Sequence, residues 1–82
     1  MLLTAEISMY PLQDDYIPAI DGFIAALNRV EGLKVKTTPT CTLVTGDYDL
    51  VFRTLQTEIA RCYDQFGRAV YVTKLIPDYQ AL

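Results

Sequence analysis

From Leu3 to Tyr10 apolar and polar positions alternate, with Leu3, Ala5, Ile7 and Met9 on one side and Thr4, Glu6, Ser8 and Tyr10 on the other. A period of two predicts a strand with one buried and one more polar face, and Pro11 ends it. The period then lengthens. Ile17, Ile20, Ile24 and Leu27 recur at helical spacing, flanked by Phe23 and Val30, which predicts a first helix over about residues 16–30. The turn Gln13-Asp14-Asp15 supplies candidate N-caps. Pro18 falls in the first helical turn, where its missing N–H does no harm, and Gly32 follows as a stop. Lys34–Thr38 again alternates, Pro39 breaks it, and Cys41–Thr45 is a third β-prone run closed by Gly46. Asp47 and Asp49 are acidic caps for a second helix, whose predicted face is Phe52, Leu55, Ile59, Cys62 and Phe66, with Gly67 as its stop. Ala69–Ile76, rich in β-branched and aromatic residues, is a last strand ended by Pro77.

The predicted order is β-α-β-β-α-β, the split βαβ arrangement of ferredoxin-like α+β domains. Right-handed crossovers place the first and third strands at the centre of a four-stranded antiparallel sheet and the second and fourth at its edges. Both helices cover one face, and the whole chain, residues 1–82, reads as a single domain. The other face is left without a third layer. Glu6, Ser8 and Tyr10 are expected to project onto it. Thr42 and Val44 join them if Cys41 and Leu43 turn towards the helices.

Composition narrows the function. With 82 residues the core is thin, and 51% hydrophobic residues are rich for that size, so apolar surface is expected to remain for a partner. A net charge of −3, with Lys34 and Lys36 the only close basic pair, argues against nucleic acid and anionic membranes. Histidine is absent, which excludes Ser-His-Asp and Cys-His chemistry and Cys2His2 zinc sites. Cys41 and Cys62 form neither a CxxC motif nor a metal-ligand spacing; one disulfide is the alternative, and they read as two buried free thiols in a reducing compartment. No metal site is expected. Glu6 interrupts the N-terminal segment too early for a signal peptide, and no apolar run has membrane-spanning length. The expected location is cytoplasmic. A phosphatase-like hydrolase on this fold wants an anion cradle. The turn Pro11-Leu12-Gln13-Asp14-Asp15 is acidic and has neither glycine nor arginine, so no catalytic residues are assigned.

The candidate ligand-binding residues are Glu6, Ser8, Tyr10, Thr38, Thr40, Thr42, Asp47 and Tyr48. Hydroxyls supply donors and acceptors, tyrosine a flat plate, and a carboxylate a strong acceptor for an amino or cationic group. Each has a structural alternative. Threonine is a strand former, Glu6 is placed to pair with a lysine such as Lys74, Asp47 and Asp49 cap a helix, and Tyr48 completes a core edge. Gly22, inside the first helix, either permits a close approach or sits at an exposed turn.

The segments Ala5-Glu6-Ile7-Ser8-Met9-Tyr10-Pro11-Leu12 and Asp15-Tyr16-Ile17-Pro18 resemble the opening strand and helix of the YkoF-like thiamine/hydroxymethylpyrimidine-binding family. The stretch from Thr37 to Asp49 and the closing Val70-Tyr71-Val72-Thr73-Lys74-Leu75 also fit that family, so the resemblance covers essentially the whole chain. It implies a ferredoxin-like fold and binding without catalysis or cofactor. The implied ligand is thiamine or its pyrimidine half, in salvage or uptake. Family members with tandem copies bind the pyrimidine within each copy. One copy here implies self-association, as a dimer or tetramer, in place of the missing repeat. The alternative is a homo-oligomeric assembly module without a small ligand.

Overall fold

The computed structural model describes all 82 residues. The elements are β1 (Leu2–Pro11), α1 (Ile17–Asn28), β2 (Lys34–Thr37), β3 (Thr42–Asp47), α2 (Tyr48–Phe66) and β4 (Ala69–Pro77). The four strands pair antiparallel in the order β2-β3-β1-β4. This is the ferredoxin-like arrangement, with both helices on one face. Leu3, Ala5 and Ile7 of β1 meet Phe23 and Leu27 of α1, Val51 and Cys62 of α2 and Val44 of β3 in one buried cluster.

The two helices bury the expected stripes in part: Phe23 and Leu27 of α1 and Cys62 of α2 lie in the core, and Leu55, Ile59 and Phe66 of α2 pack half-buried against it. In α1 the core positions are Ala19, Phe23, Ala26 and Leu27, whereas Ile17 is half exposed and Ile20 and Ile24 are only partly covered. The apolar stripe of α1 is wider than its contact with the sheet, and the surplus side is left for other use. In α2 the buried residues are Val51, Thr54, Glu58 and Cys62. Phe52 is exposed and lies edge-on against Tyr48, with ring centroids 4.9 Å apart. The α1 N-cap is Tyr16, which makes no side-chain capping bond, so Asp14 and Asp15 do not cap it. Pro18 does occupy the first turn, and the helix stops at Asn28, well before Gly32. By contrast Asp47 caps α2 as its sequence position predicts, its carboxylate accepting from the Asp49 and Leu50 amides at 3.2 and 3.3 Å.

Register corrects the expected faces of β3. Val44 pairs with Ala5, and Thr42 with Ile7. Directly opposed residues of an antiparallel pair share a face, so Thr42 and Val44 point towards the helices and Leu43 and Thr45 away from them. The helix-free face is also less bare than expected. After β4 the chain turns at Asp78, in the left-handed region at φ 55°, a conformation that aspartate tolerates better than most residues. The Asp78 amide donates to the Leu2 carbonyl at 2.8 Å. Residues 79–81 then lie across Thr4. Its hydroxyl donates to the Tyr79 carbonyl at 2.6 Å and accepts from the Ala81 amide at 3.2 Å. With its single proton committed, Thr4 accepts from the Thr45 hydroxyl at 2.9 Å. Thr4 is fully buried on the side without helices.

Two glycines are fixed by packing. At Gly22 an added Cβ would meet Phe66 Cε2 at 2.8 Å, so the glycine lets α1 and α2 approach closely. At Gly46 it would meet Leu33 Cδ2 at 2.6 Å and the Gly32 carbonyl oxygen at 3.2 Å. Because part of that obstacle is backbone, Gly46→Ala is expected to destabilise the fold by about 1–3 kcal/mol, read as a lowered urea midpoint.

Neither cysteine is in a disulfide. Cys62 is buried, but Cys41 is only partly so, against the expectation of two buried thiols. Cys62 lies beside Tyr71, whose ring packs on Phe23 at a 5.2 Å centroid distance. Burial, then the hydrogen bond to Cys62 and its charge, push the Tyr71 phenol well above the usual tyrosine range. The folded chain therefore keeps a proton that the unfolded chain releases near pH 10, and stability falls as pH rises through that value. Between about pH 9 and pH 11 the urea midpoint should decline more steeply in the native protein than in Tyr71→Phe.

Candidate functional site

The β1–β3 ladder ends at the Ile7–Thr42 pair, whereas β1 runs on to Pro11 along β4. Beyond Ile7, β1 has a free margin on the β3 side. The turn from Thr38 to Cys41 stands across that gap, and α1 passes above it. Between them lies a cavity of about 260 Å³. Ile7, Met9 and Thr42 come from the sheet, Ile20, Asp21, Phe23 and Ile24 from α1, and Thr37 to Cys41 from the strand end and turn.

The turn is held by its own side chains. The Thr38 hydroxyl accepts from the Cys41 amide at 3.1 Å and lies 3.1 Å from the Cys41 carbonyl, to which it donates. Ser8, on β1, donates to the Thr40 carbonyl at 3.0 Å and ties the turn to the sheet. Thr38 and Ser8 thus position the cavity rim. Thr42 is buried and lines the cavity, where it offers a hydroxyl to a guest.

Charge is segregated between the two sides of the sheet. Register puts Lys34, Lys36 and Lys74, the chain's three lysines, on the helix-free face with Glu6. The cavity on the helix side has one ionisable carboxylate, Asp21, and no basic lining residue. Asp21 takes part in neither of the two ion pairs of the molecule. The walls are apolar, one edge carries hydroxyls, and a carboxylate stands at the α1 side. This suits a flat heterocycle that offers an amino or cationic edge.

The residues expected to form one site fall in four places. Thr38, Thr40 and Thr42 meet at the cavity, although on the helix side of the sheet and not the open one. Glu6 is on the open face, its carboxylate 3.5 Å from the Lys74 ammonium of the paired strand, and does not reach the cavity. Asp47 and Tyr48 sit at the opposite end of β3. Asp47 is occupied as a helix cap, and Tyr48 rests against Phe52. Tyr10 lines an adjoining groove rather than the cavity itself. Ile20, Asp21, Ile24, Thr37 and Cys41 were not anticipated. For Asp21 a signal existed: it lies four residues after Ile17 and three before Ile24, a lone carboxylate beside an apolar stripe wider than a thin core needs.

A family model described as the YKOF-related family matches residues 3–73. No curated protein matches the chain at a significant level. Among solved structures, a protein from Streptococcus pneumoniae superposes with a TM-score of 0.86 at 22% identity, covering 96% of this chain and 89% of that one. A hypothetical protein from Methanocaldococcus jannascii gives 0.80 at 21% identity, with 99% and 87% covered. A candidate thiamine biosynthesis/salvage protein from Thermotoga maritima gives 0.82 at 22% identity, with 99% and 86% covered. At these identities the likeness to the three structures is one of fold.

Proposed function

The chain belongs to the YKOF-related family, and from that premise we propose that it is a non-catalytic binding protein for thiamine or its hydroxymethylpyrimidine moiety. It would act in thiamine salvage or uptake in the cytoplasm, with thiamine as ligand and not as cofactor. The observation that carries this reading is the cavity beneath α1, which combines apolar walls, the Thr42 hydroxyl and the single carboxylate of Asp21. The name of the Thermotoga maritima neighbour supports the ligand class. In the proposed complex the pyrimidine ring lies between Ile7 and Met9 on one side and Ile20 and Ile24 on the other. Its amino group donates to Asp21, and Thr42 bonds a ring nitrogen. The cavity contains no histidine and no second carboxylate, so it provides a sorting device for a heteroaromatic edge without an obvious acid–base pair.

Calorimetric titration with thiamine and with free hydroxymethylpyrimidine tests this reading, and no heat and no thermal shift at millimolar ligand would refute it. Thr42→Val is expected to weaken both ligands. Glu6→Gln, which breaks only the pairing with Lys74, is expected to leave both affinities unchanged, and a loss there would move the site to the open face.

Self-association, as a dimer or tetramer, is a second reading, and a specific observation favours it. The outer edge of β4 is unpaired over nine residues, and Val70, Val72 and Ile76 stand exposed on its helix-free side. Long apolar edges of this kind are pairing surfaces. Light scattering at micromolar concentration decides it, and a strict monomer counts against it. No helix is long and apolar enough to cross a membrane.

A further inference from the structure

The helix-free face is closed at one end by the chain itself. After the turn at Asp78, the molecule's one non-glycine residue in the left-handed region, residues 79–81 lie across Thr4, and Thr45 beside it is buried as well. Three hydrogen bonds hold the segment there. The Asp78 amide donates to the Leu2 carbonyl, the Thr4 hydroxyl donates to the Tyr79 carbonyl, and the Ala81 amide donates to the same Thr4 oxygen. Apolar burial adds little. Tyr79, Gln80 and Ala81 are exposed, and only Leu82 is partly covered. A segment held by a few polar contacts opens well short of global unfolding. Opening strands no buried group either. Thr4 and Thr45 keep their mutual bond and meet water, while the Tyr79 carbonyl and the Ala81 amide return to solvent. Thr4 is thus a single catch, one hydroxyl that grips the segment at two points.

Beyond this segment the face is open. Register puts Tyr10, Val70, Val72 and Ile76 on it, and they range from 40% to 56% exposed. Its charges are self-complementary. Lys36, Leu43, Glu6 and Lys74 form one row across the four strands, and Lys34 and Lys36 take part in no ion pair. A twofold axis passing between Lys36 and Glu6 sets the carboxylate of each copy against a free lysine of the other. Two sheets stack face to face at about 10 Å. A backbone segment lying on the face takes up that gap, so the closed segment and a stacked second copy exclude one another. We propose that residues 78–82 are a latch, with Thr4 as its catch, that holds the helix-free face shut against a second copy of this chain and admits one when it opens. This stacking is a different contact from pairing along the outer edge of β4, which the latch leaves free. The latch therefore selects how two copies meet.

The test combines amide hydrogen exchange with light scattering over micromolar concentrations, on the wild-type chain, Thr4→Val, Thr4→Ser and Ala81→Pro. Ala81→Pro removes one donor from the exposed segment and leaves the core as it is. Thr4→Val also costs Thr45 its partner; should that variant fold poorly, Ala81→Pro decides alone. In the wild type the Asp78 amide is protected. In Ala81→Pro, with one hydrogen bond gone, that protection should fall about two- to tenfold, and in Thr4→Val, which loses two, it should fall further. Thr4→Ser keeps the hydroxyl and should keep the protection. Both copies must open before they stack, so the shift enters twice, and the dimer constant of Ala81→Pro should tighten by about 4- to 100-fold. Tyr10→Lys, added to Ala81→Pro on the open part of the face, should reverse that gain. Lost protection with unchanged association overturns the proposal. So does a gain that survives Tyr10→Lys, or protection that survives in both latch variants. A strictly monomeric wild type whose latch variants associate supports the latch and removes the β4-edge pairing. A wild type that dimerises, with latch variants that match it, does the reverse.

Discussion

In Asp21→Asn, binding of thiamine and of free hydroxymethylpyrimidine is expected to fall by about ten- to a hundredfold with little change in stability. Hydrogen bonds to charged groups contribute about 1.5–3 kcal/mol, and each 1.4 kcal/mol is a decade in affinity. Asparagine keeps the size of the side chain and removes the charge, so steric effects are small. The fold should not notice. Asp21 is exposed, carries no ion pair and caps no helix, and such surface changes stay within about 0.5 kcal/mol. Titration calorimetry and a denaturant melt on the same preparation separate the two effects. Unchanged affinity would remove Asp21 from the site, and a large fall in stability would show that it holds the helix rather than a ligand.

Phe23→Ala is expected to cost about 3–5 kcal/mol, the range for truncating a buried aromatic. Phe23 is 2% exposed, packs against Leu27 and Ile7 in the core, and stacks obliquely on Tyr71. A chain of 82 residues has a total stability of about 4–12 kcal/mol at 0.05–0.15 kcal/mol per residue. The loss therefore takes a large part of the whole, and partial unfolding at room temperature is the expected reading by circular dichroism. Phe23 is also a wall of the cavity. Phe23→Leu, which keeps most of the apolar volume, should fold with a smaller loss and a roomier cavity. Urea titration of both variants checks the order. If Phe23→Ala melts within 1 kcal/mol of the native chain, the α1–sheet contact is not the centre of the core.

How much of this could be read in advance depended on the clarity of the local pattern. The alternation in β1 is unambiguous because Leu3, Ala5 and Ile7 face Thr4, Glu6 and Ser8, and those apolar residues are in the core. The run Cys41–Thr45 is ambiguous because both of its faces mix threonine with an aliphatic or thiol side chain. Either face could serve as the buried one, and only pairing with Ala5 and Ile7 selects Val44 and Thr42. That single choice moved Thr42 from the open face to the cavity. A similar ambiguity misled the reading of α1. Its isoleucines mark an apolar stripe, but the sheet meets the Phe23 side, so Ile20 and Ile24 became cavity walls instead of core. The alternative reading of Glu6 as a partner for Lys74 is the one the structure adopts.

The amino-acid sequence by itself determined the order of the six elements, the buried face of β1, the cap at Asp47 and the shortage of acid–base groups. These follow from short-range chemistry: side-chain period, proline and glycine positions, and composition. The tertiary structure alone decided where a ligand can go. The cavity exists because β1 outruns β3 by four residues, the Thr38–Cys41 turn closes the gap, and α1 lays its surplus apolar side over it. The tail that buries Thr4 is likewise a long-range contact, joining residues more than 70 apart. Such features depend on register and on the angle between layers, and no local pattern encodes either.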